Sequence, residues 1–436
     1  MAEAQTREFT KSQFAGLLIG ASVGSMFEWY DFFLAATAAA VVWPAIFFPP
    51  HSDPGVALTV SLASLGVGFL GRPVGAVVFG HFGDRYGRRT TMVSTMVLMG
   101  VASLAIALLP PYTSIGMASA AMVFILRFLM GIGVGGETGG AFAWIAEARP
   151  NSKHRGFWVS WPNAVLQLGI LLSLIAFYVV SSSLSRADLL DWGWRVPFVI
   201  GTLLLVIAVM IRVKVMESPM FQQLQVKRSV LKFPAFEVLR EQWRKIITML
   251  WMDFYIAATA SFVILPYSVS YLTNLGVNPA FASASVGAGN AAAFLVILGA
   301  AYLSDYVGRL KILRLGAILS ILTIFPYFFL LQTLNPVWII AAQIMFYSIC
   351  EIPAGSNKVL YTESFSTKYR YSGSGLTYQL AGLCSGIVMA LVFPTLVLVY
   401  GVLGAWQPIV WVSIAMAIPS LVASVLVKET KGIALE

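Results

Sequence analysis

Charge is scarce in this sequence. Asp, Glu, Lys and Arg make up only 11% of it, 58% is hydrophobic and the mean hydropathy is +0.82. A soluble domain carries about a quarter of its residues charged to cover its surface, so a soluble globular protein is excluded. Cysteine is almost absent as well. Cys350 and Cys384 both fall in apolar stretches, which rules out a disulfide framework. The histidines His51, His81 and His154 are scattered, and no Cys/His spacing suggests a metal site, so neither metal nor cofactor is expected. Sustained two-residue alternation is weak, which argues against a β-barrel, whose strands read as ~10-residue alternating segments. A cleaved signal peptide is not expected, because MAEAQTREFTKSQF is polar and mixed in charge before it enters a full apolar run.

Long apolar runs are what the sequence does have. Runs of roughly 20 residues cross the ~30 Å hydrocarbon core of a bilayer as helices. Twelve candidate spans can be read, at 14–46, 57–80, 90–109, 116–147, 156–181, 194–215, 246–274, 280–303, 311–331, 336–362, 373–399 and 407–427. The expected fold is therefore an all-α membrane protein of twelve helices in the lipid bilayer.

The net charge of +9 does not point to nucleic acid, because the cations follow topology. Alternate connections carry Arg85, Arg88 and Arg89, then Arg149, Lys153 and Arg155, then Lys227, Arg228, Lys232, Arg240, Arg244 and Lys245, then Arg309, Lys311 and Arg314, and finally Lys368 and Arg370. The intervening connections carry only Arg186 and Arg195, and PPHSDPG, PPYTSIG, NLGVNPA and TLNPV carry none. The positive-inside rule then predicts both termini in the cytoplasm.

The chain also repeats itself. HFGDRYGRRT (81–90) is echoed by YLSDYVGRLK (302–311), with Asp84 and Asp305 221 residues apart, as are Arg88 and Arg309. AEARPNSKHRG (146–156) is answered by TESFSTKYRYSG (362–373). Residues 1–215 and 246–436 thus read as two six-helix halves joined by a cytoplasmic linker, 216–245. Such repeats are a common way of building transporters, with substrate near the midplane between them.

Gly80-x-x-x-Asp84-Arg85-x-Gly87-Arg88-Arg89 resembles the loop signature of the major facilitator superfamily, and its copy is degraded at Tyr306 and Leu310. The stretches Phe27–Phe33, Arg72-Pro73-Val74-Gly75, Gly131–Glu137, Gly193–Phe198 and Glu217-Ser218-Pro219 are similar to the metabolite:proton symporter family. Its members carry citrate, 2-oxoglutarate, shikimate or proline and betaine. Thr138, where the family often has Trp, and Glu351, an acid in mid-span 10, depart from the pattern.

Ionisable residues at bilayer depth each cost about 2.5–3.5 kcal/mol on insertion scales, so they mark function or need partners. Glu28 and Asp31 share one face of span 1 by their i,i+3 spacing, and Arg127 lies at similar depth in span 4. A carboxylate that takes and releases a proton beside a permanently charged guanidinium is a candidate coupling unit; a static ion pair is the alternative. The resemblance implies the same pairing of a span 1 acid, at Asp31, with a span 4 Arg, at Arg127. Arg72 either binds a substrate carboxylate or neutralises Glu28. Asp253, 222 residues after Asp31, and Glu351 are further ionisable candidates in the second half, with Lys358 as a possible partner. Trp29, Tyr30, Trp161, Tyr255, Tyr267, Tyr378 and Trp406 are candidates for lining the cavity. Asn163, Gln167, Asn290 and Gln379 join them, because a buried amide needs a partner. GIGVGG in span 4 reads as close helix packing rather than as a nucleotide loop. Asp84 is expected to accept from a neighbouring helix N-terminus and Arg88 to pair with Glu147. Arg85, Asp305 and Arg309 join these in an expected cytoplasmic gate, and Glu137 is expected in that gate or in a structural network rather than in the substrate site.

The expected protein is therefore a proton-coupled symporter that imports a small polar metabolite, an organic acid anion, as a functional monomer in the bacterial inner membrane. The alternatives are a proton antiporter exporting small organic compounds and, in another class, a non-transporting membrane receptor. No nucleophile or metal cluster suggests an enzyme.

Overall fold

In the computed structural model, residues 9–49, 54–226, 230–259, 263–264 and 267–435 are described. Lys227, Arg228 and part of PPHSDPG lie outside them. No strand occurs among the described residues. The first half comprises α1 (Lys11–Val41), α2 (Pro54–Tyr86), α3 (Arg88–Ala107), α4 (Met117–Ala148), α5 (Arg155–Ser183) and α6 (Arg195–Val213). The second comprises α7a and α7b (Pro234–Ala258 and Ser268–Asn274), α8 (Pro279–Val307), α9 (Arg309–Gln332), α10a and α10b (Pro336–Glu351 and Asn357–Ser364), α11a and α11b (Arg370–Ile387 and Phe393–Gly404), and α12 (Trp406–Leu426).

Among the described residues, nine helices are long and apolar enough to cross a membrane. The other three of the twelve positions are α1 and the interrupted α7 and α11. Large apolar side chains such as Leu398, Val425, Leu426, Tyr178 and Val337 stay exposed on the outer surface, as a lipid-facing belt requires.

Three departures from the expected spans stand out, two of them at prolines. Helix α7a begins at Pro234, inside the expected linker, where Pro at the first turn lacks an N–H that would have no partner anyway. Span 10 is broken at Pro353–Gly355, a short 3₁₀ turn, because Pro cannot donate to the preceding turn and its ring clashes there. Span 11 passes through a π-helical turn at Val388–Val392.

Small residues set the packing. Helix α2 runs closely along α4: a Cβ on Gly135 would lie 2.0 Å from Arg72 O, and one on Gly131 2.0 Å from Gly68 O. The halves meet along α5 with α8 and along α2 with α11a. This places the polar faces of α1, α4, α5, α7a, α10 and α11a around a common centre.

Candidate substrate and proton site

Charged residues of α1 cannot face lipid, so they turn inward and find partners on α2, α3 and α4. Asp31, 1% exposed, accepts from Arg127 Nη1 at 2.8 Å and from Ser103 Oγ at 2.5 Å. Glu28 lies one turn away, 3.6 Å from Arg72, with Thr138 Oγ1 donating at 3.4 Å. Arg72 also covers the ring of Phe69, 4.5 Å from its centroid. Glu28, Asp31, Arg72 and Arg127 line one small cavity together with Phe32 and Phe69.

Trp29, the residue between Glu28 and Tyr30, belongs to a second, larger cavity of about 70 Å³. Its other walls include Asn163 and Gln167 from α5, Asp253 from α7a, Tyr347 and Glu351 from α10a, Asn357 and Lys358 from α10b, and Tyr378 from α11a. Both halves therefore contribute. The α10 break explains part of this geometry. It frees the carbonyls of Ala354 and Gly355, which accept from Asn163 Nδ2 and Ser160 Oγ at 2.9 Å each. Asp253 lies 3.5 Å from Lys358 Nζ and accepts from Asn357 Nδ2 at 2.6 Å.

At the end bearing the termini and the Lys/Arg-rich connections, here the basic end, two interlocks repeat each other. Asp84 accepts from Tyr371 N and Ser372 N, at the start of α11a, at 3.1 and 2.8 Å. Asp305 accepts from Gly156 N and Phe157 N, at the start of α5, at 2.8 and 3.0 Å. A carboxylate there meets free N–H groups and the positive end of the helix dipole. Arg88 bridges Asp84 at 2.6 Å and Glu147 at 2.9 Å, while Arg309 bridges Asp305 at 2.6 Å and Glu363 at 3.1 Å. Each bridge then crosses to the other half, through Arg370 to Glu147 at 2.9 Å and Arg155 to Glu363 at 2.6 Å. Glu217 accepts from the N–H groups of Arg88 and Arg89 at 2.9 and 3.1 Å, and Glu429 from those of Arg309 and Leu310 at 2.9 and 3.0 Å. Gly87 and Gly308 precede these helices at φ 120° and 114°, where a side chain is strained. A Cβ there would also meet a carboxylate oxygen, 2.3 Å away at Glu217 and 2.6 Å at Glu429.

The profile of the family described as "Sugar (and other) transporter" matches residues 17–232 and 231–436, nearly the whole chain. The chain belongs to this family, in the major facilitator superfamily. It is similar to the inner membrane metabolite transport protein YhjE of Escherichia coli, 33% identical over 95% of this chain and 94% of that one. The shikimate transporter of the same organism is 31% identical over the same shares. Among solved structures, a proton:xylose symporter of the superfamily, bound to 6-bromo-6-deoxy-D-glucose, matches with a TM-score of 0.81 at 18% identity over 98% of both chains, which shows the shared fold.

Within this transporter fold the structure sorts the sequence candidates. It brings Asp31, Arg127, Glu28 and Arg72 together, and groups Trp29, Asn163, Gln167, Asp253, Glu351 and Tyr378 around the larger cavity. Asn290 and Gln379 sit behind the walls. Asn290 donates to Gln167 O at 2.8 Å, and Gln379 donates to Thr138 Oγ1 at 3.3 Å.

Other candidates are corrected. Tyr30 points into the first half's core, where its hydroxyl donates to Pro197 O at 2.7 Å. Tyr255 lies in the second half's core near Ser320, not on the cavity. Trp161 packs against Phe157 near the basic end, Tyr267 donates to Val402 O, and Trp406 packs at a tilt against Phe328. Of the two readings of Glu137, the structure gives the network and not the gate: it pairs with Arg212 of α6 and accepts from Thr95, all within one half. Arg85 is half-buried and donates to Lys232 O, outside the interlock. Lys358 turns to Asp253 rather than to Glu351.

Glu363, Arg155, Arg370, Glu217 and Glu429 carry interlock contacts that sequence spacing alone does not assign. Three stand in view, inside the echoed stretches around 146–156 and 362–373. The parallel between Glu217-Ser218 and Glu429-Thr430 is the signal for the other two: Ser218 donates to Glu147 as Thr430 donates to Glu363.

Proposed function

We propose that this transporter carries a small polar metabolite bearing a carboxylate together with a proton, by alternating access. The observation that carries this reading is the Asp31–Arg127 pair at 2.8 Å, buried on two helices of one half around the small cavity that Glu28 and Arg72 also line. The guanidinium stays charged, so protonating Asp31 releases Arg127 to rearrange or to take a carboxylate. Relatives named as metabolite and shikimate transporters support a small-metabolite cargo.

The cation bias of the loops supports placing the basic end in the cytoplasm of a bacterial inner membrane. With both interlocks closed, the protein is then shut toward the cytoplasm, and import proceeds when they open. Asp84, Arg88, Glu147 and their counterparts Asp305, Arg309 and Glu363 form this gate, and the working unit is a monomer. Residues 1–215 and 246–436 act as the two rocking bodies, joined through 216–245.

The test uses purified protein in proteoliposomes with an imposed pH gradient. Wild type should accumulate its metabolite, Asp31→Asn should only equilibrate it, and Arg127→Ala should not transport. Wild-type accumulation by both variants would sink the coupling role.

A further inference from the structure

A cleft of about 550 Å³ opens at the basic end, where the α4–α5 connection of the first half faces the end of α8 and the segment after α12. Its walls carry Lys153, His154, Arg155, Arg309 and Lys431 against one carboxylate, Asp305. Asp305 and Glu363 already match the two arginines, at 2.6 to 3.1 Å. The two lysines are unmatched. Neither has a carboxylate within 4 Å among the described residues, and Lys153 makes no hydrogen bond among them either. Lys431 gives only one of its three N–H groups, to Tyr306 O. His154 stacks on Tyr302 with ring centres 5.4 Å apart, and its Nδ1 is buried without a hydrogen bond among the described residues.

The cleft does not end at the charges. Tyr302 and Tyr306, 48% and 52% exposed, stand on one face of α8 with Gly299 and Leu295, at i,i+3 and i,i+4 steps. Gly299 has nothing within 4 Å of where a Cβ would lie, and Leu295 is 67% exposed. An apolar track therefore leaves the cleft and runs roughly 16 Å along α8 into the bilayer. Tyrosines at its mouth suit the headgroup level, and the apolar residues beyond suit an acyl chain.

We propose that this cleft binds an anionic phospholipid, with the phosphate at Lys153 and Lys431 beside His154 and an acyl chain along the α8 track. Basic pockets between spanning helices hold such headgroups. A zwitterionic headgroup would bring an ammonium to two lysines that have no carboxylate. Lys153 and His154 belong to the first half, Lys431 and Tyr306 to the second, so the bound lipid bridges the halves. Arg155 already makes a bridge to the same segment, donating to Ile433 O at 2.9 Å. Opening the basic end parts the two walls and dismantles the site, so the lipid favours the closed state. That consequence rests on the alternating-access reading above; the site itself does not.

The experiment follows full-length purified protein by thermal unfolding and native mass spectrometry, with phosphatidylglycerol, phosphatidylethanolamine and glycerol 3-phosphate as probes. Phosphatidylglycerol should raise the melting temperature and remain bound, with the other two about tenfold weaker or silent. Lys153→Ala combined with Lys431→Ala should weaken it about thirtyfold, the worth of two cations at a membrane surface. Arg240→Ala combined with Lys311→Ala removes the same charge from exposed positions of the same end, and should change binding by less than about threefold. Gly299→Phe keeps every cation but fills the track, and should also weaken binding. In nanodiscs, spin labels on the exposed Tyr86 and Lys368 should lie closer together with phosphatidylglycerol than with phosphatidylcholine, and the Lys153/Lys431 double variant should lose that difference.

Equal binding of phosphatidylethanolamine overturns the proposal. Equal binding of glycerol 3-phosphate, or unweakened binding in Gly299→Phe, overturns the lipid and leaves a site for free phosphate. Equal losses in the two double variants overturn it as well, because they reduce the effect to general surface attraction. Label distances that ignore the lipid overturn the bridging role. The probe comparison uses wild type, so it decides the matter even where a variant fails to fold. None of these readouts needs the transported metabolite. Uptake that ignores a pH gradient therefore sinks proton symport and leaves this site standing, whereas loss of lipid selectivity sinks the site and leaves symport standing.

Discussion

Around the central cavities the first half holds Asp31 with Arg127 at 2.8 Å and Glu28 with Arg72 at 3.6 Å, whereas the second half holds Lys358 at 3.5 Å from Asp253 and has no cation within 4 Å of Glu351 among the described residues. At the basic end the same halves are near copies, down to the pair of backbone N–H groups that each of Asp84 and Asp305 receives. The contrast follows from what each region touches. An interlock joins two similar bodies, so the same geometry serves in both directions. On the proposed reading the cavity faces a ligand and a proton rather than a copy of itself, so duplication confers no advantage there and the two halves differ.

The largest expected effect tests the asymmetry. Arg127→Ala leaves Asp31 as a buried carboxylate with only Ser103 beside it, and should cost about 3–5 kcal/mol of stability. Lys358→Ala should cost less, because Asn357 continues to donate to Asp253 at 2.6 Å. Thermal unfolding in detergent measures both, and equal losses would break the distinction between a closed and a loose pair.

Next come the interlocks. Asp84→Asn and Asp305→Asn should each weaken closure of the basic end by about 1–2 kcal/mol, a five- to thirtyfold shift in population. Distance distributions between spin labels on the exposed Lys153 and Lys368 should broaden in both variants. An effect from only one would show that the halves do not share the work.

Packing offers a third contrast. Gly135→Ala places a methyl 2.0 Å from Arg72 O and should cost about 1–3 kcal/mol. Gly299→Ala in the second half meets nothing within 4 Å and should be neutral or stabilising by up to about 1 kcal/mol. A destabilised Gly299→Ala would place an unseen partner on that face.

The smallest effect concerns the two loop acids. Burial raises the Glu217 carboxyl above its ordinary 4.5, against the backbone donors that surround it. Its contribution is therefore fully present at low pH and lost as pH rises through the raised value. Burial acts on Glu429 in the same sense, but four backbone N–H groups outweigh it and lower that carboxyl. Its contribution is present above the ordinary value and lost as pH falls through the lowered one. Melting temperatures across pH 3–8 for Glu217→Gln and Glu429→Gln, each against wild type, should therefore diverge in opposite directions. Parallel curves would show that the equivalent positions share one environment.

Much of the interlock is legible in the chain because its residues sit in echoed loops, where sequence spacing equals structural equivalence. The Asp84 helix-end contact and the Arg88–Glu147 pair follow from charge type and position alone. Tyr30 and Tyr255 escape such reasoning because an aromatic residue at the right depth on a spanning helix can face cavity, core or lipid, and rotation about the helix axis is set by neighbours. Glu137 escapes it because its partner, Arg212, is on α6, and nothing local connects the two.

The sequence by itself determined the helical membrane class, the twelve spans, the repeat and the positions of the cations, since these depend on hydropathy and local spacing. Only the tertiary structure decided which charges are matched. Ion pairing requires contact within about 4 Å, and whether Lys358 meets Asp253 or Glu351 depends on how α7a and the broken α10 pack. That choice leaves Glu351 on the cavity wall with no cation within 4 Å among the described residues.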